Sequence, residues 1–520
     1  MPNNSISIKK TLESADSTVL FLGTNDQSTD QNVSKIADDN NITNHGLVSD
    51  AEFVPVEPGY YHTTIVDIPF GLLLNLSKRF DIVVLLDQPQ SQWSHWKILS
   101  ATFKLMVQLE ESGMNTIFRD NSNSKKIMYW TNILYKKNKS FCIYPWINLH
   151  SDGKELKLCS RSKGKIADPK DLVDWENNSS YTKIRENMIN GTLMPEHCKI
   201  CYEYENIGIE SYRQFESLDW ISQLDIESFD DLKKIKHPYF YELHTGNHCN
   251  IKCRGCQPAY SEPIGKEIKK FNIITPRKLS WTPSSASIDS IDIDTLDKTS
   301  QVYFQGGEPT IMPEVLEFME RCIAKNRTNF DLTMCTNGVK FSDKFLSLVS
   351  QFPNSTFSFS LDGFDRINDY WRSGSNWKKV IDNAHLLESR GHFISINTVP
   401  GIYNVTNLHL LLEFLDREFP FTAIYMQINH LAWQSAFNHP DSKLVVESMK
   451  KCMNTSIYHS NGKSCKTAID SIYNYYSKNP KCDIDALRDF FTYNDQLDHV
   501  RGVKLADYIP ELESARSLLE

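Results

Sequence analysis

Between residues 239 and 430 the apolar and polar positions change rhythm in a regular way. Short runs rich in β-branched and aromatic residues, at 239–246 (YFYELHTG), 300–307 (SQVYFQGG), 330–338 (FDLTMCTNG), 355–363 (STFSFSLDG), 392–401 (HFISINTVPG) and 421–430 (FTAIYMQINH), read as strands. Between them, stretches such as 312–325 and 377–390 repeat apolar residues every three or four positions, which predicts amphipathic helices. Six such units in succession predict an α/β fold, a partial (β/α)6 TIM-like barrel with a parallel sheet. Each strand ends in polar or glycine residues, and in β/α barrels that edge carries the active site.

The remaining text has other rhythms. Residues 1–50 are rich in Asn, Ser and Asp, with one strand-like run at 18–23, and read as a polar segment with little order. From 51 to 138, strand-like runs at 62–68 and 79–87 alternate with helix-like runs at 69–78 and 95–112, predicting a small α/β domain. Residues 139–216 are turn-rich and hold four cysteines, residues 238–430 form the barrel, and residues 431–520 read as a helical cap.

Composition narrows the function by exclusion. The net charge of −9 and the lack of a basic run argue against nucleic acid as a partner. No apolar stretch approaches the ~18 residues that span a bilayer, and no export signal is legible, so a cytoplasmic protein without membrane contact is expected. In that compartment twelve cysteines do not form a disulfide framework; clustered ones are metal ligands.

Three of them, Cys249, Cys253 and Cys256, fall within eight positions after the first barrel strand. On spacing alone they could be three packed thiols, a zinc site completed by His244 or His248, or three ligands of a four-iron cluster whose fourth iron stays open. After the second strand, Gly306 and Gly307 permit close backbone approach and Pro309 sets the turn into a helix.

CNIKCRGC at 249–256 together with GGEP at 306–309 resembles the radical S-adenosylmethionine superfamily. The resemblance implies a 4Fe-4S cluster on the catalytic cysteines Cys249, Cys253 and Cys256, with S-adenosyl-L-methionine bound to its open iron. It implies reductive cleavage of that cofactor to a 5′-deoxyadenosyl radical that abstracts hydrogen from a substrate. Gly306, Gly307, Glu308 and Pro309 are implied for the cofactor's ammonium, Ser360 and Arg372 for its carboxylate, and Thr336, Asn337 and Asn397 (with Thr398) for the nucleoside. The family usually has an aromatic residue before the third cysteine; this chain has Gly255.

Upstream, Cys142, Cys159, Cys198 and Cys201 follow the spacing C-x10-G-x5-C and C-x2-C. Four thiolates can close a zinc or an iron–sulfur site, and Cys198 with Cys201 alone could be a redox pair. The pattern, trailed by Glu205, Gly208, Ser211 and Arg213, resembles the SPASM and twitch modules, twitch more closely. It implies a second, auxiliary 4Fe-4S cluster that conducts electrons, in a module that here precedes the barrel. The resemblance further implies a peptide or protein substrate, with a small-molecule metabolite or nucleoside as the alternative, and a low-potential electron donor such as flavodoxin or ferredoxin. A non-catalytic metal protein on the same scaffold is the other reading. Cys322, Cys335, Cys452, Cys465 and Cys482 read as core or incidental thiols.

Overall fold

The computed structural model describes residues 126–520, with short gaps that include 152–154, 169–174, 207–210 and 277–287, and five strands before them. The chain divides into two compact units. The first comprises Met1–Trp146, Arg161–Lys163 and Ser179–Lys236; the second comprises Ile147–Ser160, Gly164–Asn178 and His237–Glu520.

In the first unit β1 (Thr18–Gly23), β2 (His45–Leu47), β3 (Gly59–Thr64), β4 (Ile82–Leu85) and β5 (Asn115–Phe118) form a parallel sheet in the order β2-β3-β1-β4-β5. Two of these strands come from the segment read as polar and weakly ordered. The helix-like runs at 69–78 and 95–112 lie outside the described residues. Farther along, α1 (Ser179–Ile189), α2 (Pro195–Asn206) and α3 (Tyr212–Gln223) follow. Trp130 stacks on Phe141 with ring centroids 5.2 Å apart, and both rings are fully buried. Ser211 caps α3 through a reciprocal box with Gln214, satisfying amides that the first helical turn leaves open.

The second unit is built on an eight-stranded sheet. Its strands are β6 (Asn148–Ser151), β7 (Leu156–Lys157), β8 (Phe240–His244), β9 (Gln301–Gln305), β10 (Asp331–Thr336), β11 (Ser355–Ser360), β12 (Phe393–Thr398) and β13 (Ala423–Met426). The order is β13-β12-β11-β10-β9-β8-β6-β7, parallel throughout except for β7. The six expected strands are β8 to β13. They are followed or joined by α4 (Glu262–Phe271), α5 (Pro313–Ala324), α6 (Asp343–Val349), α7 (Arg366–Trp371), α8 (Trp377–Ser389) and α9 (Leu408–Glu418). The sheet extends one parallel strand beyond the six, because β6 pairs with β8 from a segment read as turns.

Alternation along the strands separates two faces of different chemistry. One carries Leu243, Val302, Phe304, Met334, Phe357, Phe359 and Ile396, all buried, each worth about 1.5–3 kcal/mol when removed from water. The other carries Glu242 and His244 against Tyr303 and Gln305, then Cys335 against Ser358, and Ser360 against Asn397. Fully packed parallel sheets are apolar on both faces. Here one face departs from that rule and is polar.

After the sheet come α10 (Ser442–Met453), α11 (Gly462–Tyr476) and α12 (Ile484–Arg501). Phe490, Phe491, Tyr493 and Leu497 of α12 join a core with Ile264, Tyr370, Trp371, Tyr403 and Trp433. Among the described residues no helix is long and apolar enough to cross a membrane.

Candidate active site

The three cysteines occupy the loop from β8 to α4. Its course is fixed by main-chain bonds: the amide of Lys252 donates to Ser373 O and that of Arg254 to Trp371 O, both at 2.8 Å, so the loop runs against the end of α7. Gly255 has a local reason. A Cβ there would stand 2.8 Å from Trp371 Nε1, so the space beside the third cysteine is filled by an aromatic ring from α7 rather than by residue 255 itself.

The turn after β9 closes on the same loop. The amide of Glu308 donates to His248 O at 2.8 Å and that of Gly307 to Tyr260 O at 3.1 Å. Gly306 and Gly307 have φ of +84° and +45°, and a Cβ on Gly307 would lie 2.3 Å from His248 O, so only glycine fits. Pro309 opens a short 3-10 turn, Pro309–Ile311.

Glu308 is turned inward and buried. One carboxylate oxygen accepts from Thr310 Oγ1 at 2.7 Å and Thr336 Oγ1 at 2.8 Å, and the other from the Asn337 amide at 2.7 Å. Burial pushes its pKa above the usual carboxylate range, against the pull of those donors. Its side chain thus staples the ends of β9 and β10 together. Asn337 adds a bond from Nδ2 to Asn250 Oδ1 at 2.7 Å and reaches within 3.8 Å of Cys249 Sγ.

Arg372 stands where α7 ends, and its Nη1 donates to Asp362 Oδ2 at 2.6 Å. Burial pulls its pKa down, but Cys253 and Asp362 outweigh that and the net shift is upward, so the guanidinium stays charged. Its buried Nε has no hydrogen-bond partner among the described residues. A buried donor left open beside the cysteine loop suits an anionic ligand group such as a carboxylate. Asp362, which nothing in the SLDG run singles out, also accepts from the Val399 amide at 2.9 Å and so ties β11 to β12. Ser360 and Asn397 lie deeper on the polar face, each 3.6 Å from Cys335 Sγ. On the same face toward the other end of the sheet, His150 of β6 comes within 3.0 Å of Glu242, and Gln305 Nε2 donates to the same carboxylate at 3.2 Å.

The donor set fits a cluster with one open iron. Burial raises all three thiol pKa values, Cys249 to about 12, and the neighbouring thiolates raise those of Cys249 and Cys256 further. Three thiolates in one buried loop require a cationic core. Among the described residues no three His, Cys, Asp or Glu side chains are grouped as for a single ion. The raised pKa has a direct consequence. In metal-free protein Cys249 is almost wholly protonated at neutral pH, so its alkylation by iodoacetamide should rise about tenfold per pH unit from 7 to 10 without levelling off. Peptide mapping checks this; a plateau near pH 9 would contradict it.

In the first unit, Cys142, Cys198 and Cys201 come into one electrostatic neighbourhood. Burial pushes Cys142 up to about 12, and burial followed by Cys142 and Cys201 pushes Cys198 up. Arg213 organises this region: it donates to Glu205 through Nε at 2.8 Å and Nη2 at 2.6 Å, and to Phe141 O at 2.7 Å. Ser211 Oγ donates to the same Glu205. Cys159 follows β7 in the second unit, and Gly208 lies outside the described residues.

Fold and site together define a β/α domain in which a cysteine loop at the C-terminal edge of the parallel strands is locked to a glycine turn. Residues 243–415, about a third of the chain, match the model of the Radical SAM superfamily, and the chain carries a domain of that enzyme superfamily. No curated protein matches the chain. Among solved structures, native anSMEcpe with bound AdoMet and Cp18Cys peptide is 18% identical, over 40% of this chain and 56% of that one, with a TM-score of 0.28. Streptococcus suis SuiB bound to precursor peptide SuiA is 14% identical, over 61% of this chain and 64% of that one, with a TM-score of 0.25. The chain thus spans less than two thirds of the length of either.

Proposed function

We propose that the protein is a radical S-adenosylmethionine enzyme that abstracts hydrogen from a peptide or protein substrate, with an auxiliary iron–sulfur cluster handling electrons. The observation that carries this reading is the junction of the cysteine loop with the glycine turn, through Glu308 N to His248 O and Gly307 N to Tyr260 O, beside the open Nε of Arg372. When bound, a reduced 4Fe-4S cluster would supply one electron and S-adenosyl-L-methionine, accepting it, would supply the hydrogen-abstracting chemistry.

The chain's own residues do the positioning. Cys249, Cys253 and Cys256 would hold the cluster as its three thiolate ligands. Arg372 holds the cofactor's carboxylate, and Gly306 and Gly307 let its ammonium approach the main chain. The substrate lies along the polar strand face, whose Tyr303, Gln305 and Asn397 supply hydrogen bonds. The peptide class rests on the resemblance of the upstream cysteine set to twitch modules. On the same resemblance, Cys142, Cys198 and Cys201 carry the auxiliary cluster, and a flavodoxin or ferredoxin delivers the first electron.

The test is anaerobic purification followed by reduction with dithionite in the presence of S-adenosylmethionine. About eight irons per chain and steady release of 5′-deoxyadenosine are expected; stoichiometric zinc and no cofactor cleavage would sink the reading. Replacing Cys198 and Cys201 together with alanine should remove about four irons while substrate-free cofactor cleavage survives. Iron unchanged in that variant would remove the auxiliary cluster from the proposal.

A further inference from the structure

Between the second and third cysteines stands Arg254, whose side chain is only 1% exposed. An arginine so far from water is costly unless every donor is placed. Here its Nε donates to Tyr370 O at 2.9 Å, Nη1 to Asn494 Oδ1 at 2.9 Å and Nη2 to Asp498 Oδ1 at 2.6 Å. The guanidinium also lies over the Tyr370 ring, 3.7 Å from its centroid. Tyr370 OH reaches back to Asp498 Oδ1 at 2.9 Å, Tyr403 OH donates to Asn494 Oδ1 at 3.0 Å, and the Leu505 amide donates to Asp498 Oδ2 at 2.7 Å. The backbone of the same residue is held too: its amide by Trp371 O, its carbonyl by Gln434 Nε2 at 3.1 Å.

A second strut joins the same two elements. Lys252 Nζ donates to Glu267 Oε1 at 2.6 Å, and Arg501, at the end of α12, donates to Glu267 Oε2 through Nη2 at 2.5 Å. Thus α12 reaches the loop through Asn494 and Asp498 on Arg254, and through Arg501 on Glu267 and Lys252. These bonds fix the backbone between the ligands and, through Tyr370 and Trp371, the end of α7 that carries Arg372.

We infer that α12 is the positioning element of the cysteine loop: Asn494 and Asp498, acting through Arg254, set the Cys253–Cys256 half of the loop and the adjoining Arg372 in the geometry the cofactor requires. The inference rests on the reading of the three cysteines as cluster ligands. Asp498 and Arg254 are positioning residues, since each acts through the loop backbone and not on the reacting atoms.

The experiment compares the native full-length chain with Asp498→Asn, Arg254→Lys and, as a control on the solvent side of the same helix, Asp495→Asn. In metal-free protein, iodoacetamide alkylation of Cys256 is followed by peptide mapping, with the core thiol Cys322 as an internal gauge of folding. Asp498→Asn should speed Cys256 alkylation about tenfold with Cys322 unchanged, because an unpaired buried guanidinium opens the loop locally. Arg254→Lys keeps the charge but not the fork and should fall between the two. Asp495→Asn should match the native chain.

After iron loading, Asp498→Asn should retain its cluster but show a weakened change in its electron paramagnetic resonance spectrum on adding S-adenosylmethionine. If Asp498→Asn loosens Cys322 as well, Tyr370→Phe, which removes only the shared hydroxyl, decides the matter on the same readout. Alkylation of Cys256 within about twofold of native in these variants would overturn the inference. A native chain that takes up no iron would overturn the functional reading instead, while the alkylation ratios still decide whether α12 holds the loop.

Discussion

Replacing Cys249, Cys253 and Cys256 together with alanine is expected to remove about four irons per chain and to abolish 5′-deoxyadenosine formation. The size of the effect follows from the donor set. The loop's other bonds, from the Lys252, Arg254 and Glu308 amides and from the Lys252 and Arg254 side chains, do not pass through the cysteine side chains and survive the change to alanine. The variant should therefore fold and lose the cluster alone. Iron assay and product chromatography on the anaerobic protein decide it; retained cofactor cleavage would place the catalytic cluster elsewhere in the chain.

The second large effect is expected at Glu308. Its carboxylate satisfies Thr310, Thr336 and Asn337 in a buried site, and truncation to alanine leaves those donors open. Each unsatisfied buried donor costs roughly 1–3 kcal/mol, so Glu308→Ala should lose several kcal/mol of stability in denaturant titration and all measurable cofactor binding. Glu308→Gln is the more telling change. With the Gln oxygen on the Asn337 amide, the threonine hydroxyls can reverse their bonds to meet the NH2, but the Thr310 amide, which donates to that same carboxylate oxygen at 3.3 Å, cannot. A loss of about 1–3 kcal/mol with weakened cofactor affinity is expected. If Glu308→Gln left stability untouched but abolished cofactor binding, the carboxylate would be a direct ligand of the ammonium rather than a staple of the turn.

Glu308 also marks the limit of what could be read from residues alone. The GGEP turn and the three-cysteine loop were legible because both are local: spacing and glycine needs lie within ten residues. The strands β8 to β13 were legible because their period is regular. The carboxylate's hydrogen-bond partners were not, since Thr336 and Asn337 come from the next strand and its end, 28 and 29 residues on. The strand β6 escaped because four residues buried on both faces show no alternation. The same holds for Asp362, whose place beside Arg372 depends on where a helix ends. Gly255 looked like a departure from the family and proves to be a matter of volume, the aromatic ring arriving from Trp371. Arg254 sat in plain view between two cysteines, but nothing nearby announces partners so distant in sequence.

Those partners lie 240 and 244 residues downstream of Arg254. At roughly 5–20 residues per second, a ribosome needs on the order of 12–50 s to reach Asp498 after making the loop. Through that interval the barrel strands can pair and the loop's main-chain bonds can form, but Arg254 still lacks Asn494 and Asp498. Closure of the loop by α12 is thereby a late event of synthesis, separated from the loop's own appearance by the making of the barrel strands that lie between them in the chain.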